Sequence, residues 1–326
     1  MKPYRDSKGS SGSDMELASP VIAVVGPTAV GKSAVAQQLA EGRGTAVLSA
    51  DSMQVYREMN IGTAKLACDQ QIVPHFGLDL VNPGQPYSAA QYQQYARTVI
   101  EAYVADTGGL APIVSGGTGL YLRAALDDFD FSEERSPDTS PQRAALERLA
   151  EEIGPVAMHD RLAALDQASA DAIHPNNVRR TIRALEMAQQ GHSYADTKAA
   201  FSKRTSWYPT IWIGLTMDRA QLYQRINKRV DDMLDAGLLE EVRSLLNSGY
   251  RPALTAQQAI GYKELVPVIE GGADLEMAVS DIKQASRRYA KRQLSWFRSD
   301  PRVQWVDVGD KDLAQILKEV EALTAV

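Results

Sequence analysis

This sequence predicts an α/β fold, a parallel sheet flanked by helices and interrupted by a helical insertion domain. Three observations carry that prediction. Short apolar runs suited to buried strands alternate with helical segments: VIAVV at 21–25, TAVLSAD at 45–51 and APIVSGG at 111–117. The first run breaks into a glycine-rich turn, GPTAVGKS at 26–33, followed by a helix over 32–41. Further strand-like runs, IWIGLTM at 211–217 and RVQWVDV at 302–308, return only after a stretch from 141 to 200 that reads as helix throughout.

A chain of 326 residues exceeds the usual single core, so one large domain and one smaller domain are expected. Residues 1–19, rich in Ser, Gly and charge, read as a flexible leader outside the fold. Residues 20–127 and 201–326 form the expected catalytic core, and 128–200 the insertion. The charged, Pro- and Ser-rich stretch DDFDFSEERSPDTSP at 127–141 marks the boundary. No apolar run approaches the ~18 residues of a membrane span. The single cysteine, Cys68, excludes an internal disulfide, and the four histidines lack metal-ligand spacing. A cytoplasmic protein is expected, and nothing demands a partner subunit, so a monomer is expected too. The net charge of −6 argues against a surface coated in positive charge for non-specific nucleic-acid binding, though it allows a local basic patch.

The loop Gly26, Pro27, Thr28, Ala29, Val30, Gly31, Lys32, Ser33 satisfies G-x-x-x-x-G-K-[ST] in its required setting, a strand before and a helix after. Glycines let successive amides face one anion, and the helix adds its positive N-terminus. Lys32 supplies a mobile charge, and the Ser33 hydroxyl is placed to ligate Mg²⁺. The core is therefore P-loop NTPase-like, and the loop specifies a polyphosphate without naming it.

The second strand ends at Asp51, where open α/β sheets keep their working residues. From residues alone Asp51 suits two roles: orienting a metal or capping the next segment, or acting as general base toward an acceptor. The third strand ends in SGGTGLYL at 115–122, where a nucleoside triphosphatase would normally place an Asp for its metal. The glycines there suggest close approach of a substrate to backbone, with Thr118 offering a hydroxyl.

Two basic helices follow. SRRYAKRQLSWFR at 286–298 carries Arg287, Arg288, Lys291, Arg292 and Arg298 with no acid, and helical spacing puts 288 with 292 on one face. Such a stripe suits a phosphate backbone, while Trp296 and Phe297 read as core. In HPNNVRRTIRALE at 174–186, Asn176 or Asn177 caps a helix with an apolar stripe of Val178, Ile182 and Leu185. Arg179, Arg180 and Arg183 fall off that stripe and face outward. Arg225 and Arg229 lie one turn apart, and residues alone favour ion pairs with Asp231, Asp232 or Asp235.

Taken in order, the blocks GPTAVGKS, DSMQVYREMNIGTAK, YSAAQY, SGGTGLYL, HPNNVRRTIRALE, GYKE and AKRQLSWFR resemble the tRNA dimethylallyltransferase, or tRNA isopentenyltransferase, family. They run from residue 21 to about 300. The resemblance implies transfer of a dimethylallyl group from dimethylallyl diphosphate to N6 of the adenosine 3′ of the anticodon, with diphosphate leaving under Mg²⁺ assistance. It implies Asp51 as the base and Thr118 as a second catalytic-site residue. Gly26 to Ser33 and Arg229 would hold the donor diphosphate. The implied tRNA contacts are Asp51, Ser52, Met53, Gln54, Thr118, Arg143, Arg179, Arg180, Arg183, Gln258, Gly261, Tyr262, Lys263, Lys291, Arg292, Gln293, Trp296 and Arg298. VRRTIR and QAIGYKE vary on the family pattern, which bears on individual RNA contacts. Three other readings compete: a P-loop small-molecule kinase, an RNA-binding switch, and an adenylate isopentenyltransferase. The first leaves the cationic segment and the insertion unexplained, and the last has less need of an RNA-gripping surface.

Overall fold

The structure, a computed structural model, describes residues 17–129, 141–248 and 259–325. The chain divides into two compact units, one of Met1–Asp127 with Ser206–Val326 and one of Asp128–Thr205. The smaller unit ends beyond the expected 200, because a helix at Tyr194–Ser202 runs through that position. The expected leader lies outside the described residues up to 16. Its last part is attached: the Ala18 amide donates to Gly109 O at 2.9 Å.

In the larger unit, strands β1 (Val21–Val25), β2 (Val47–Ser49), β3 (His75–Phe76), β4 (Ile113–Gly116), β5 (Thr210–Thr216) and β6 (Val303–Asp307) form one parallel sheet. Its order is β3-β2-β4-β1-β5-β6. Every residue of β1 is buried, as a central strand covered on both faces requires. The two-residue edge strand β3 went unread because so short a run has no period. The helices of this unit are α1 (Lys32–Arg43), α2 (Ala89–Thr107), α3 (Gly119–Leu126), α8 (Arg219–Asp235), α9 (Leu238–Asn247), α10 (Val266–Ile269), α11 (Leu275–Arg298) and α12 (Leu313–Thr324).

Their limits are set locally. Ser88 and Gln91 form a reciprocal capping box at the start of α2, while Asp218 and Asp274 cap α8 and α11. One apolar core joins Ile22 and Val24 of β1, Val35 and Leu39 of α1, Ile213 and Leu215 of β5, Leu222 and Ile226 of α8, and Ile316 of α12. From β1 the chain winds outward through β2 and β3; after β4 it crosses β1 to build β5 and β6. That reversal opens a crevice at the carboxyl ends of β1 and β4, the usual ligand position in such sheets.

The smaller unit contains α4 (Pro141–Leu165), broken at Gly154 before Pro155, then α5 (Gln167–Asp171), α6 (Val178–Gln189) and α7 (Tyr194–Ser202). Leu146, Met158, Leu162, Ile182 and Leu185 make its core. Asn177 caps α6 by accepting the Arg180 amide at 3.3 Å, which sets the apolar stripe inward.

Candidate active site

The phosphate loop turns sharply out of β1. Gly26 has φ +147°, and a Cβ there would sit 2.7 Å from Leu215 O, so no side chain fits. Ala29 is left-handed at φ +64°, a conformation that costs a non-glycine residue about 1–2 kcal/mol; such strain gathers at ligand-binding loops. Gly31 continues the turn into α1 at φ +104°. Lys32 folds back to donate to Pro27 O at 2.7 Å. Burial pulls its ammonium from the ordinary lysine value of 10.5 to about 8, against an upward pull from Asp51 and with a smaller downward push from Arg229. Ser33 is exposed at the helix start.

Asp51 follows β2 and stands beside the turn after β4. The Ala50 amide donates to Ser115 O at 2.8 Å, and the Thr118 amide donates back to Ala50 O at 3.3 Å. Asp51 Oδ1 accepts the Met53 amide at 2.9 Å. Thr118 Oγ1 accepts the Ser52 amide at 3.0 Å and donates to Ser52 Oγ at 3.2 Å. Thr118 thereby locks the turn that carries the carboxylate.

The glycines of SGGTG are required by packing, while Ser115 and Gly116 also border the larger of the two cavities that meet at Asp51. A Cβ on Gly116 would lie 2.2 Å from Ala50 O, one on Gly117 2.1 Å from Gln293 Nε2, and one on Gly119 2.0 Å from Trp296 Nε1. Gln293 is a strut. Its Oε1 accepts the Thr28 amide at 2.8 Å and its Nε2 donates to Gly117 O at 3.0 Å, joining the phosphate loop to the Thr118 turn. It is only 5% exposed but borders the larger cavity, with both ends of its amide engaged by the two turns.

Two cavities meet at Asp51. One, about 680 Å³, is bordered by Lys32, Ser33, Gln54, Thr63 and His75; the other, about 480 Å³, by Ser52, Met53, Gly261, Lys263, Arg288 and Arg292. Thr28, Asp51, Thr63, Arg229, Met233 and Tyr289 border both. The ion pairs that residues alone favoured for Arg229 do not form: Asp232 takes Lys228 at 2.7 Å and Asp231 takes Lys283 at 2.6 Å. Arg229 is left facing the cleft, where burial pulls its guanidinium below the ordinary arginine value while Asp51 draws it back. Tyr289 was missed by sequence reasoning, which read its segment for charge. Its hydroxyl meets the side chains of Thr118 and Gln293, and burial, with Asp51 nearby, pushes it up to about 12.

The remaining predicted residues divide by exposure. Arg288, Lys291, Arg292 and Arg298 are exposed and make no ion pair among the described residues, whereas Arg287 is tied to Asn227 at 2.6 Å. Arg292 also lies 5.5 Å from the Tyr289 ring. Trp296 is 39% exposed while Phe297 is buried, so only the second is core. Gln54 reaches Ser49 and Thr63 O at 2.8 and 3.2 Å, from the wall of the larger cavity. Tyr262, expected on the RNA face, is fully buried and donates to Glu241 at 2.6 Å. Lys263 is exposed beside Glu264.

In the smaller unit, Arg179 and Arg180 are exposed. Arg143 is buried, bonded to Glu147 at 3.1 Å and Glu186 at 3.2 Å, so it braces the helices and cannot present its charge to RNA. Arg183 leans to 3.8 Å from the same Glu186, which corrects its fully outward placement. Gln258 lies outside the described residues.

The family model described as IPP transferase matches residues 54–300, and that described as Isopentenyl transferase matches 19–71. The tRNA dimethylallyltransferase of Geobacillus thermodenitrificans is 46% identical over 90% of this chain and 91% of its own. The full-length tRNA isopentenylpyrophosphate transferase of Bacillus halodurans superposes with a TM-score of 0.67 at 40% identity, over 94% of this chain and 97% of its own. A eukaryotic dimethylallyltransferase acting on tRNA gives a TM-score of 0.75 at 28% identity, over 90% of this chain and 75% of that one. A family match across most of the chain, on a P-loop sheet with its carboxylate at the switch point, shows that the chain belongs to the IPP transferase family of tRNA dimethylallyltransferases.

Proposed function

We propose that this enzyme transfers the dimethylallyl group of dimethylallyl diphosphate to N6 of the adenosine immediately 3′ of a tRNA anticodon, releasing diphosphate. One observation carries the reading: a carboxylate, Asp51, stands where two cavities meet, within electrostatic reach of Lys32 and Arg229. The donor diphosphate rests on the loop amides, Lys32 and Arg229. As the donor C–O bond breaks, its electron pair leaves with the diphosphate and the N6–carbon bond forms. Asp51 takes the N6 proton through Oδ2, Oδ1 being held by the Met53 amide, and then yields it to water. General-base help of this kind is worth about 10²–10⁴-fold. Lys32 and Arg229 stabilise the charge growing on the leaving group. Thr118 holds the Asp51 turn in register.

A divalent metal fits this donor set. The Ser33 hydroxyl is exposed at the start of α1, beside the loop that would carry the diphosphate. Mg²⁺ prefers such sites, with few protein ligands and the rest phosphate oxygens and water. When bound on Ser33 it would neutralise charge on the departing diphosphate.

The acceptor base must leave its stack, at a cost of a few kcal/mol. Arg288, Lys291, Arg292 and Arg298, with Arg179 and Arg180 of the smaller unit, offset that cost by binding phosphates. In this reading the enzyme is a cytoplasmic monomer; no helix among the described residues is long and apolar enough to cross a membrane. Incubation with undermodified tRNA, dimethylallyl diphosphate and Mg²⁺, followed by nucleoside mass analysis, should yield N6-isopentenyladenosine. Phosphorylation of a small molecule in a parallel reaction with ATP, without prenylation, would establish the kinase reading.

A further inference from the structure

Glu241 stands on α9, and its carboxylate makes no ion pair among the described residues. It is held by donors from two separate loops. Oε2 accepts the amides of Asn60 and Ile61 at 2.9 and 2.8 Å; Oε1 accepts the Gly62 amide at 3.2 Å and the Tyr262 hydroxyl at 2.6 Å. Successive amides turned on one anion form an anion-binding concavity, and here the protein supplies the anion itself. Gly62 is a glycine for the same reason: a Cβ there would lie 2.4 Å from the Tyr262 ring.

These two loops are walls of the 480 Å³ cavity. Gly62 and Thr63 of the first loop and Gly261, Tyr262 and Lys263 of the second border it side by side, with Asp51 at the junction with the larger cavity. The first loop is also coupled to the end of β2, since Thr63 O accepts Gln54 Nε2 at 3.2 Å and Gln54 accepts the Ser49 hydroxyl at 2.8 Å. Gly261, at φ +96°, donates its amide to Glu264 at 2.8 Å, which closes a turn within the second loop. Glu241 borders neither cavity.

We infer that Glu241 is a positioning residue for the RNA acceptor. It ties the 60–62 loop to Tyr262 and thereby fixes the joined wall of the cavity through which the adenine reaches Asp51. The inference rests on the reaction assigned above and predicts an effect on the acceptor without one on the donor.

Two variants test it. Glu241→Gln keeps the shape but turns an amide donor toward amide donors, and Tyr262→Phe removes only the hydroxyl. Anticodon stem-loop affinity and the KM for tRNA should weaken about tenfold in Glu241→Gln, the equivalent of one lost hydrogen bond to a charged group. The donor Kd should stay within about twofold. Tyr262→Phe should produce a smaller shift of the same kind, and the double variant should fall short of additivity, because the two side chains share one bond. Tyr262→Phe retains the carboxylate and keeps the test open if Glu241→Gln fails to fold. Unchanged tRNA binding in either folded variant would overturn the inference. So would equal weakening of donor and tRNA that follows a lowered Tm. Wild-type protein that never prenylates tRNA would overturn the reaction itself, and this inference with it.

Discussion

Raising the pH from 7 to 9 should loosen the diphosphate donor through Lys32 alone. The ammonium is packed against the phosphate loop, and burial lowers it to about 8 from 10.5. That gap is worth roughly 3 kcal/mol against the charged form in the folded protein. For stability the sign follows directly. Between about 8 and 10.5 the unfolded chain binds the extra proton, so this residue adds stability as pH rises through that window.

For donor binding the sign is opposite. A polyanion favours charged Lys32, and above pH 8 binding must first recover the proton. The apparent Kd should therefore climb about tenfold for each unit above 8, reaching about tenfold over the neutral value at pH 9. The donor's own last proton, with a phosphate-like pKa of about 6, is gone by then and contributes no slope. Calorimetry of donor binding across this range reads the effect directly, with proton uptake visible through buffers of different ionisation heat. Lys32→Met should bind weakly at every pH and show no slope. A wild-type Kd that stays flat between pH 7.5 and 9.5, or a slope that persists in Lys32→Met, would refute the electrostatic account of this lysine.

Asp51→Ala should lose about 10²–10⁴-fold in turnover by single-turnover assay while tRNA affinity, read by filter binding, stays nearly intact; retained turnover would dismiss the base assignment. Replacing Arg288 and Arg292 together by Ala should weaken tRNA binding and make its salt dependence shallower, by about 0.7–0.9 in log–log slope for each phosphate no longer neutralised; an unaltered slope would remove α11 from the RNA surface. Asp127, 1% exposed, holds Arg123 and accepts Arg302 Nη1 at 2.7 Å, so Asp127→Ala should cost about 3–5 kcal/mol in urea unfolding. A loss under about 1 kcal/mol would mean that this network relaxes without strain.

Much of the fold was legible because its signals are local. The runs at 21–25 and 210–216 are largely apolar segments of strand length, 113–116 is a buried one ending in Ser-Gly, and 303–307 buries only Val303 and Val306. The cap Asn177, read from HPNNVRR, acts within three residues; Ser88, Asp218 and Asp274 cap in the same local way but were not read from the sequence. Exposure was less legible: Arg143 and Arg180 look alike in sequence, yet one is buried against Glu186 and the other faces solvent. Tyr289 carried no signal apart from its neighbours' charges, and its place beside Asp51 depends on how α11 lies across the sheet.

By itself, then, the sequence determined the chemistry that closes within a dozen residues: a phosphate cradle between strand and helix, a carboxylate at a strand end, and cations in helical register. Tertiary structure alone decided which polar groups are engaged inside and which are left for ligands. Gln293 finds Gly117 across 176 positions, and Arg143 finds Glu186 across 43. No local pattern encodes such pairings, since a buried donor or acceptor must be satisfied by whatever the packed chain brings to it.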